Sequence, residues 1–339
     1  MNVNELLQQS GISHAVYLER YKTSEVRSLI ELLNTADKDL VAEIAKRSGD
    51  SITKQRLKAL LRDIRRINSE AMGKLGKSLE KDMEELAVYE AGFQAKKVTE
   101  YIPIEWNITQ PAPATLRAAI LDRPFESGLL SQHVTNIEGR RLQQVEGAIR
   151  TGLVEGESID QITRRIRGTR AQQYADGILE ASRREVEALV RTAVNHTVST
   201  ARGVLYQQNP DLIKGIQYVA TLDSRTTLIC ASLDGKVFSM NEGPRPPQHW
   251  RCRSTTIPVL KSWRELGIDM DEVPAGTRAS MNGQVPAKTT FPDWLKGQPE
   301  RVQIEVLGQK RWELWKNGAA IEKFVSDGRV LSLQEACRA

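Results

Sequence analysis

The chain has 339 residues, 40% of them apolar, enough for two domains and a sizeable core without disulfide staples. Its 48 basic and 43 acidic residues leave a net charge of +5, a mixed surface that permits a polyanionic partner but carries no dedicated basic tail. No stretch approaches the ~20 apolar residues that span a bilayer, and the opening M-N-V-N-E-L-L-Q-Q-S lacks a signal's basic and apolar regions, so the expectation is synthesis in the cytoplasm and no membrane partner.

Residues 1 to about 100 predict helix almost throughout, broken at Gly49 and Asp50, with Ser51 as the cap of the next helix. From Leu57 onward a three-and-four spacing runs through Leu60, Ile64, Ile67, Ala71, Leu75, Leu79, Met83, Leu86, Glu90 and Phe93 and lays one stripe on a helix. A helix from Ser51 to Val98 would be about 70 Å long. Periodicity leaves its continuity open, and two readings stand: a rod that offers a face to a partner helix, or a hairpin packed on the preceding helix. Gly73, Gly76 and Gly92 favour packing, since each costs roughly 1 kcal/mol in a helix interior unless a close neighbour compensates.

Three prolines between Tyr101 and Pro113 end this region. Helices are expected again from about Thr115 to Leu121, Leu129 to Leu153 and Ile159 to Arg167, the last opened by a capping box of Ser158 and Gln161. A further helix from about Ile178 to Gln208 carries Val186, Leu189, Val190, Ala193, Val194, Val198 and Leu205. Arg164, Arg165, Arg167 and Arg170 form the densest basic run. It reads either as a solvated helix end whose cations suit the dipole or as a set of phosphate contacts.

After Gly215 the pattern becomes short strands: I-Q-Y-V-A-T-L, then K-V-F behind a hairpin turn at Asp234-Gly235, then S-T-T-I-P-V. Residues 261 to 300 are loop-rich. R-V-Q-I-E-V-L-G and D-G-R-V-L-S-L-Q-E-A read as pairable edge strands, the latter equally as the start of a short helix. The expected fold class is α+β: a helical arm over 1–100, a Pro-rich linker over 101–113, a mixed domain over 114–260 and a loop-rich extension over 261–339.

Chemistry concentrates between Thr221 and Pro258, where Cys230, His249 and Cys252 gather the only two internal cysteines and a histidine. Cys337 makes the cysteine count odd, which gives no disulfide framework. Zinc wants four ligands, commonly as two short-range pairs, and only H-x-x-C is complete here. Thr227 stands where the C-x-x-C partner of Cys230 would lie, so a fourth ligand would be Asp223, Asp234, water or another chain. A Cys230–Cys252 disulfide, worth roughly 3 kcal/mol, and a pair of buried thiols around a packed histidine are the other readings.

The run R-T-A-V-N-H-T-V-S-T-A-R-G, followed by Y-V-A-T-L-D-S-R-T-T-L-I-C-A-S-L-D-G-K-V-F and P-P-Q-H-W-R-C-R, resembles the phage Mu protein F-like family of head morphogenesis, or minor head, proteins over about 190–259. The motif positions are Arg191, Thr192, Asp223, Arg225, Thr226, Leu233, Asp234, Gly235, Pro247 and Arg253. Thr227 and Ser254 depart from the family pattern by replacing two thiolates. The resemblance implies a virion protein of a tailed phage, in the head interior or at the portal vertex. Its implied partners are portal or capsid proteins and, without sequence preference, genomic DNA. Arg164, Arg165, Arg167, Arg170, Arg251 and Arg253 are the candidate phosphate contacts, and zinc is the candidate cofactor. The protein is expected to be no enzyme. The alternative is an ADP-ribosyltransferase-like or toxin-type enzyme built on Arg191, His196, Asp223 and Asp234, although no Gly-rich phosphate loop follows the knot.

Overall fold

A computed structural model describes residues 3–47, 53–102, 105–267, 269, 276–336 and 338. The expected break at Gly49 and Asp50, the cap at Ser51, Pro103 and Cys337 lie outside the described residues. The fold is α+β. Two long helices, α1 (Val3–Ala45) and α2 (Lys54–Tyr101), come first, and α2 runs unbroken. They are followed by α3 (Pro113–Asp122), α4 (Leu130–Val154), α5 (Ile159–Arg167) and α6 (Ile178–Gln207), each within two residues of the boundaries that spacing and caps predict. At α5 the capping box forms as expected: Gln161 N–H donates to Ser158 Oγ at 3.2 Å, and Ser158 N–H donates to Gln161 Oε1 at 2.7 Å.

The chain forms two compact units, one from Met1–Glu19, Leu86–Ile120 and Asn195–Ala339, the other from Arg20–Glu85 and Leu121–Val194. Neither follows the linear partition at 101–113, because α1, α2 and α6 each contribute residues to both units.

In the Arg20–Glu85 and Leu121–Val194 unit, Leu40 and Ile44 of α1 and Leu60 and Ile64 of α2 bury against Val145, Ile149, Ile162, Ile166 and Leu179. The stripe on α2 holds at Leu60, Ile64, Leu75, Leu79 and Met83 but slips by one between them. Asn68 and Met72 are buried there, while Ile67 and Ala71 are half-exposed. Asn68 has a polar reason to be inside: its Oδ1 accepts from Arg141 Nε at 2.9 Å, and Asp37 receives Arg141 and Arg183 at 2.5 Å each. The hairpin reading of α1 and α2 is the one realised in this unit. A Cβ at Gly76 would meet Val134 at 3.3 Å, whereas Gly73 and Gly92 have open space, so close packing accounts for Gly76 alone.

In the other unit, a three-stranded antiparallel sheet has the order β2 (Val237–Phe238), β1 (Ile213–Val219), β3 (Thr255–Leu260). Leu205, Tyr206, Leu212, Ile213, Ile216 and Leu260 pack with Val3 and Leu7 of α1, Ala95 and Val98 of α2, and Ile102 just beyond α2. Within this core Glu90, fully buried, accepts from Arg202 Nε at 2.6 Å and lies 2.6 Å from His14 Nε2. Burial pushes the Glu90 carboxyl up, but the Arg202 guanidinium and the His14 hydrogen bond outweigh it and bring it to about 2.

Two expectations need correction here. Asp234-Gly235 is not the turn of a simple hairpin, because a one-and-a-half-turn helix, α7 (Leu228–Leu233), intervenes between β1 and β2, started by the Thr227 side chain as N-cap. R-V-Q-I-E-V-L-G is no strand. It forms α9 (Glu300–Leu307), begun after Pro299 and stopped at Gly308, whose φ of 73° suits only glycine readily. Helices α8 (Phe291–Lys296) and α10 (Gln309–Lys316) flank it, and Phe291, Trp294, Leu307 and Trp312 close a satellite core with Leu222 and Leu228. The D-G-R-V segment does pair, but with its immediate neighbour: β6 (Val325–Ser326) and β7 (Arg329–Val330) form a tight hairpin with Asp327 and Gly328 at positive φ. A second hairpin, β4 (Thr277–Ser280) with β5 (Gly283–Pro286), turns at Met281-Asn282, and α11 (Leu333–Ala336) realises the short-helix reading of the last segment.

Candidate metal centre

Cys230 projects from α7, Cys252 sits just before β3, and His249 belongs to the turn leading into it. The turn closes on itself through a hydrogen bond from Cys252 N–H to His249 O at 3.1 Å, with Arg251 in the left-handed region at φ 60°. In that backbone the first and last residues of H-W-R-C turn their side chains toward one point. Cys230 Sγ lies 3.4 Å from His249 Nε2 and 3.8 Å from Cys252 Sγ, and all three ligand atoms fall within 4.8 Å of one another.

The sulfurs are not bonded, since a disulfide needs about 2.05 Å. His249 Nδ1 lies 2.9 Å from the carbonyl of Trp250, which can only accept, so Nδ1 carries a proton and Nε2 is the ring nitrogen that faces the sulfurs. Tyr218 Oη lies 3.3 Å from Cys230 Sγ, and burial followed by the nearby sulfurs holds that phenol protonated. The thiols titrate as a pair. The hydrogen bond from Cys230, then His249, draws Cys252 well below an ordinary thiol, while the same bond and burial push Cys230 well above one.

Asp223, the expected fourth ligand, is not brought into this group. Its carboxylate takes both Arg253 nitrogens, at 2.5 and 2.8 Å, and accepts from Arg225 N–H at 3.1 Å and Thr226 Oγ1 at 3.2 Å. Burial raises the Asp223 carboxyl, yet the Arg253 pair wins and leaves it below its ordinary value. This bidentate bond joins the loop leading into Cys230 to the strand leaving Cys252. Asp234 is spent as well. It accepts from the backbone N–H groups of Ala220 and Phe291, each at 2.7 Å, and from Arg278 at 3.0 and 3.2 Å. Burial nonetheless lifts its carboxyl above the usual range.

The remaining motif residues have structural posts. Thr192 Oγ1 bonds Ala188 O at 2.7 Å, Arg191 pairs with Glu187 at 2.9 Å, Leu233 packs on the Cys230–Cys252 cluster, and Pro247 follows a cis peptide. Gly235, at φ 81°, lets its N–H reach Tyr218 O at 2.9 Å. Thus Arg191, Asp223 and Asp234 each face an opposite charge of the protein's own.

Of the candidate phosphate contacts, Arg164, Arg167, Arg170 and Arg251 are exposed, Arg165 is held by Glu155 and Glu157, and Arg253 by Asp223. Arg167 also lies over the Tyr174 ring at 5.5 Å.

Asn195, Tyr218 and Arg278, which sequence reasoning did not single out, complete the site together with Ser254. Asn195 Nδ2 donates to the carbonyls of Cys252 and Ser254 at 2.9 and 3.2 Å, and Tyr218 and Ser254 hydrogen-bond Cys230. Arg278 fixes Asp234 from the β4–β5 hairpin. Asn195 lies inside the quoted R-T-A-V-N-H run, but nothing in its spacing announces a role across fifty-seven positions.

Neither the curated proteins nor the solved structures include a match to this chain. Residues 143–257, which run from within α4 through both halves of the Cys/His knot into β3, match the family described as Phage Mu protein F like protein, the same family that the motif run resembles.

Proposed function

We propose that the chain is a minor head protein of a tailed bacteriophage, a structural component that acts in head morphogenesis at or near the portal and travels in the virion. The family match over 143–257 carries this reading and points to a phage head-related protein. The geometry around the motif suits a structural role, because Asp223, Asp234 and Arg191 are each engaged by an opposite charge of the protein's own, and the Asp223–Arg253 and Asp234–Arg278 pairs fasten separate segments of the chain together. For the same reason the reading is of a protein without catalytic activity. Portal and capsid proteins are the partners we infer, with packaged DNA as a weaker, sequence-independent one through Arg164, Arg167 and Arg170. No described helix is long and apolar enough to cross a membrane.

The test uses the full chain, since α1 and α2 supply residues to both cores and deleting 1–100 would unfold what it is meant to probe. Co-expressed with the portal and major capsid proteins of its own phage, the chain is expected to sediment with the portal or the assembled head. Recovery only in the slow, unassembled fraction when both are present and assembled would overturn the proposal.

A further inference from the structure

We propose that Cys230, His249 and Cys252 bind one thiophilic divalent cation, zinc in the cell, through two thiolates and one imidazole, with the fourth position left to an exogenous small ligand such as water. The inference goes beyond the head-protein reading and does not depend on it.

Tetrahedral zinc with Zn–S of about 2.3 Å and Zn–N of about 2.05 Å separates its ligand atoms by about 3.8 Å for two sulfurs and about 3.6 Å for sulfur and nitrogen. The protein holds its sulfurs at 3.8 Å and its Cys230–His249 pair at 3.4 Å, close to two edges of such a tetrahedron and far from a disulfide, with His249 and Cys252 within 4.8 Å of each other. The donors come from two places on the chain, so one ion would tie α7 to the 249–252 turn that leads into β3.

The surroundings are those of a ligand set. A metal-bound histidine needs its other nitrogen held by an acceptor, and the Trp250 carbonyl supplies one to Nδ1. A buried thiolate needs an outside donor, and Tyr218 and Ser254 offer hydroxyls to Cys230. Asn195 anchors the backbone on both sides of Arg253 and so fixes where Cys252 points.

Among the described residues, the absence of a fourth protein ligand also has a physical basis. Asp223 and Asp234 are saturated by Arg253 and Arg278. Thr227 has its hydroxyl committed to the Cys230 N–H as the cap of α7. Ser254 is buried beside Cys230 with an oxygen in place of a sulfur. Two sulfurs and one imidazole nitrogen around an open position is a recognised zinc arrangement, and soft donors of this kind select against magnesium and calcium.

The experiment is a titration of the reduced, metal-free full chain with Co(II), read in the visible and near ultraviolet. One equivalent is expected to saturate intense tetrahedral d–d bands together with a thiolate-to-metal charge-transfer band. Cys252→Ser should lose about half of that band, Asp223→Asn should leave stoichiometry and spectrum unchanged, and Ser254→Cys should raise the band about 1.5-fold as thiolates go from two to three. If Cys252→Ser fails to fold, the wild-type titration decides by itself. A folded wild-type chain that gives no charge-transfer band would overturn the proposal, as would a band that survives intact in folded Cys252→Ser. An unchanged band in folded Ser254→Cys would overturn the placement of the fourth position.

Discussion

Two buried polar clusters in the same unit solve the problem of burial in opposite ways. Around Glu90 the protein brings its own counter-charge: Arg202 and His14 reach the carboxylate at 2.6 Å each, and Gln94 Nε2 adds a third bond at 2.8 Å. Around Cys230 all three groups offer lone pairs once the thiols ionise, and the acids that could have joined them face arginines instead. A cluster that is electrically closed belongs to the folding of the chain. A cluster whose ligand atoms are all lone-pair donors carries no cation among them, and the proposed metal ion would supply one. The contrast is why the first is read as architecture and the second as a binding site, and it can be pressed from both sides.

The largest effect is expected from breaking the closed cluster. Glu90→Gln leaves the Arg202 guanidinium buried without its counter-charge and should cost about 3–5 kcal/mol of unfolding free energy. Replacing both partners, Glu90→Leu with Arg202→Met, should recover much of that loss, since paired apolar substitutions of similar volume are often near neutral. Urea unfolding of the three proteins at neutral pH makes the measurement. A single variant within about 1 kcal/mol of wild type would show that the pair is not the closed unit its geometry implies.

Acid sharpens the same comparison with a smaller effect. The Glu90 carboxyl titrates at about 2 in the folded chain against 4.5 as the ordinary value. A depressed carboxylate contributes stability that is fully present above pH 4.5 and is lost as the pH falls from there through 2, because the unfolded chain takes up the proton first. Wild type should therefore lose stability faster than Glu90→Gln between pH 4.5 and 2, and their curves should converge toward the acid end. Parallel curves over that window would contradict the assignment.

Much of this architecture can be read from residues in order. The stripe on α2, the capping box at Ser158 and Gln161 and the β-branched run after Gly215 each predict an element that forms, because local spacing and caps suffice to specify it. The three soft donors were also legible, as types and as a spacing. What spacing could not supply was partnership across the fold. Asp223 reads as a ligand until Arg253, thirty residues on, is seen to take both of its oxygens. Glu90 falls on an apolar stripe, and only the approach of α6 explains a carboxylate there. The strand reading of R-V-Q-I-E-V-L failed for a related reason. Its alternation is real, but of that segment only Leu307 is buried, and Pro299 and Gly308 punctuate a helix of two turns.

The smallest effect tests the scaffold of the open cluster rather than its donors. Thr227 caps α7 by accepting from Cys230 N–H, so Thr227→Ala should cost about 1 kcal/mol and Thr227→Asp, which keeps an acceptor, a few tenths. Neither change touches a donor atom, so the Co(II) stoichiometry and charge-transfer band should persist in both. Thr227→Ala should differ from wild type by less than a third of the Glu90→Gln loss under identical urea conditions. A loss as large as that of Glu90→Gln would mean that the six residues of α7 hold together far more of the unit than one cap can.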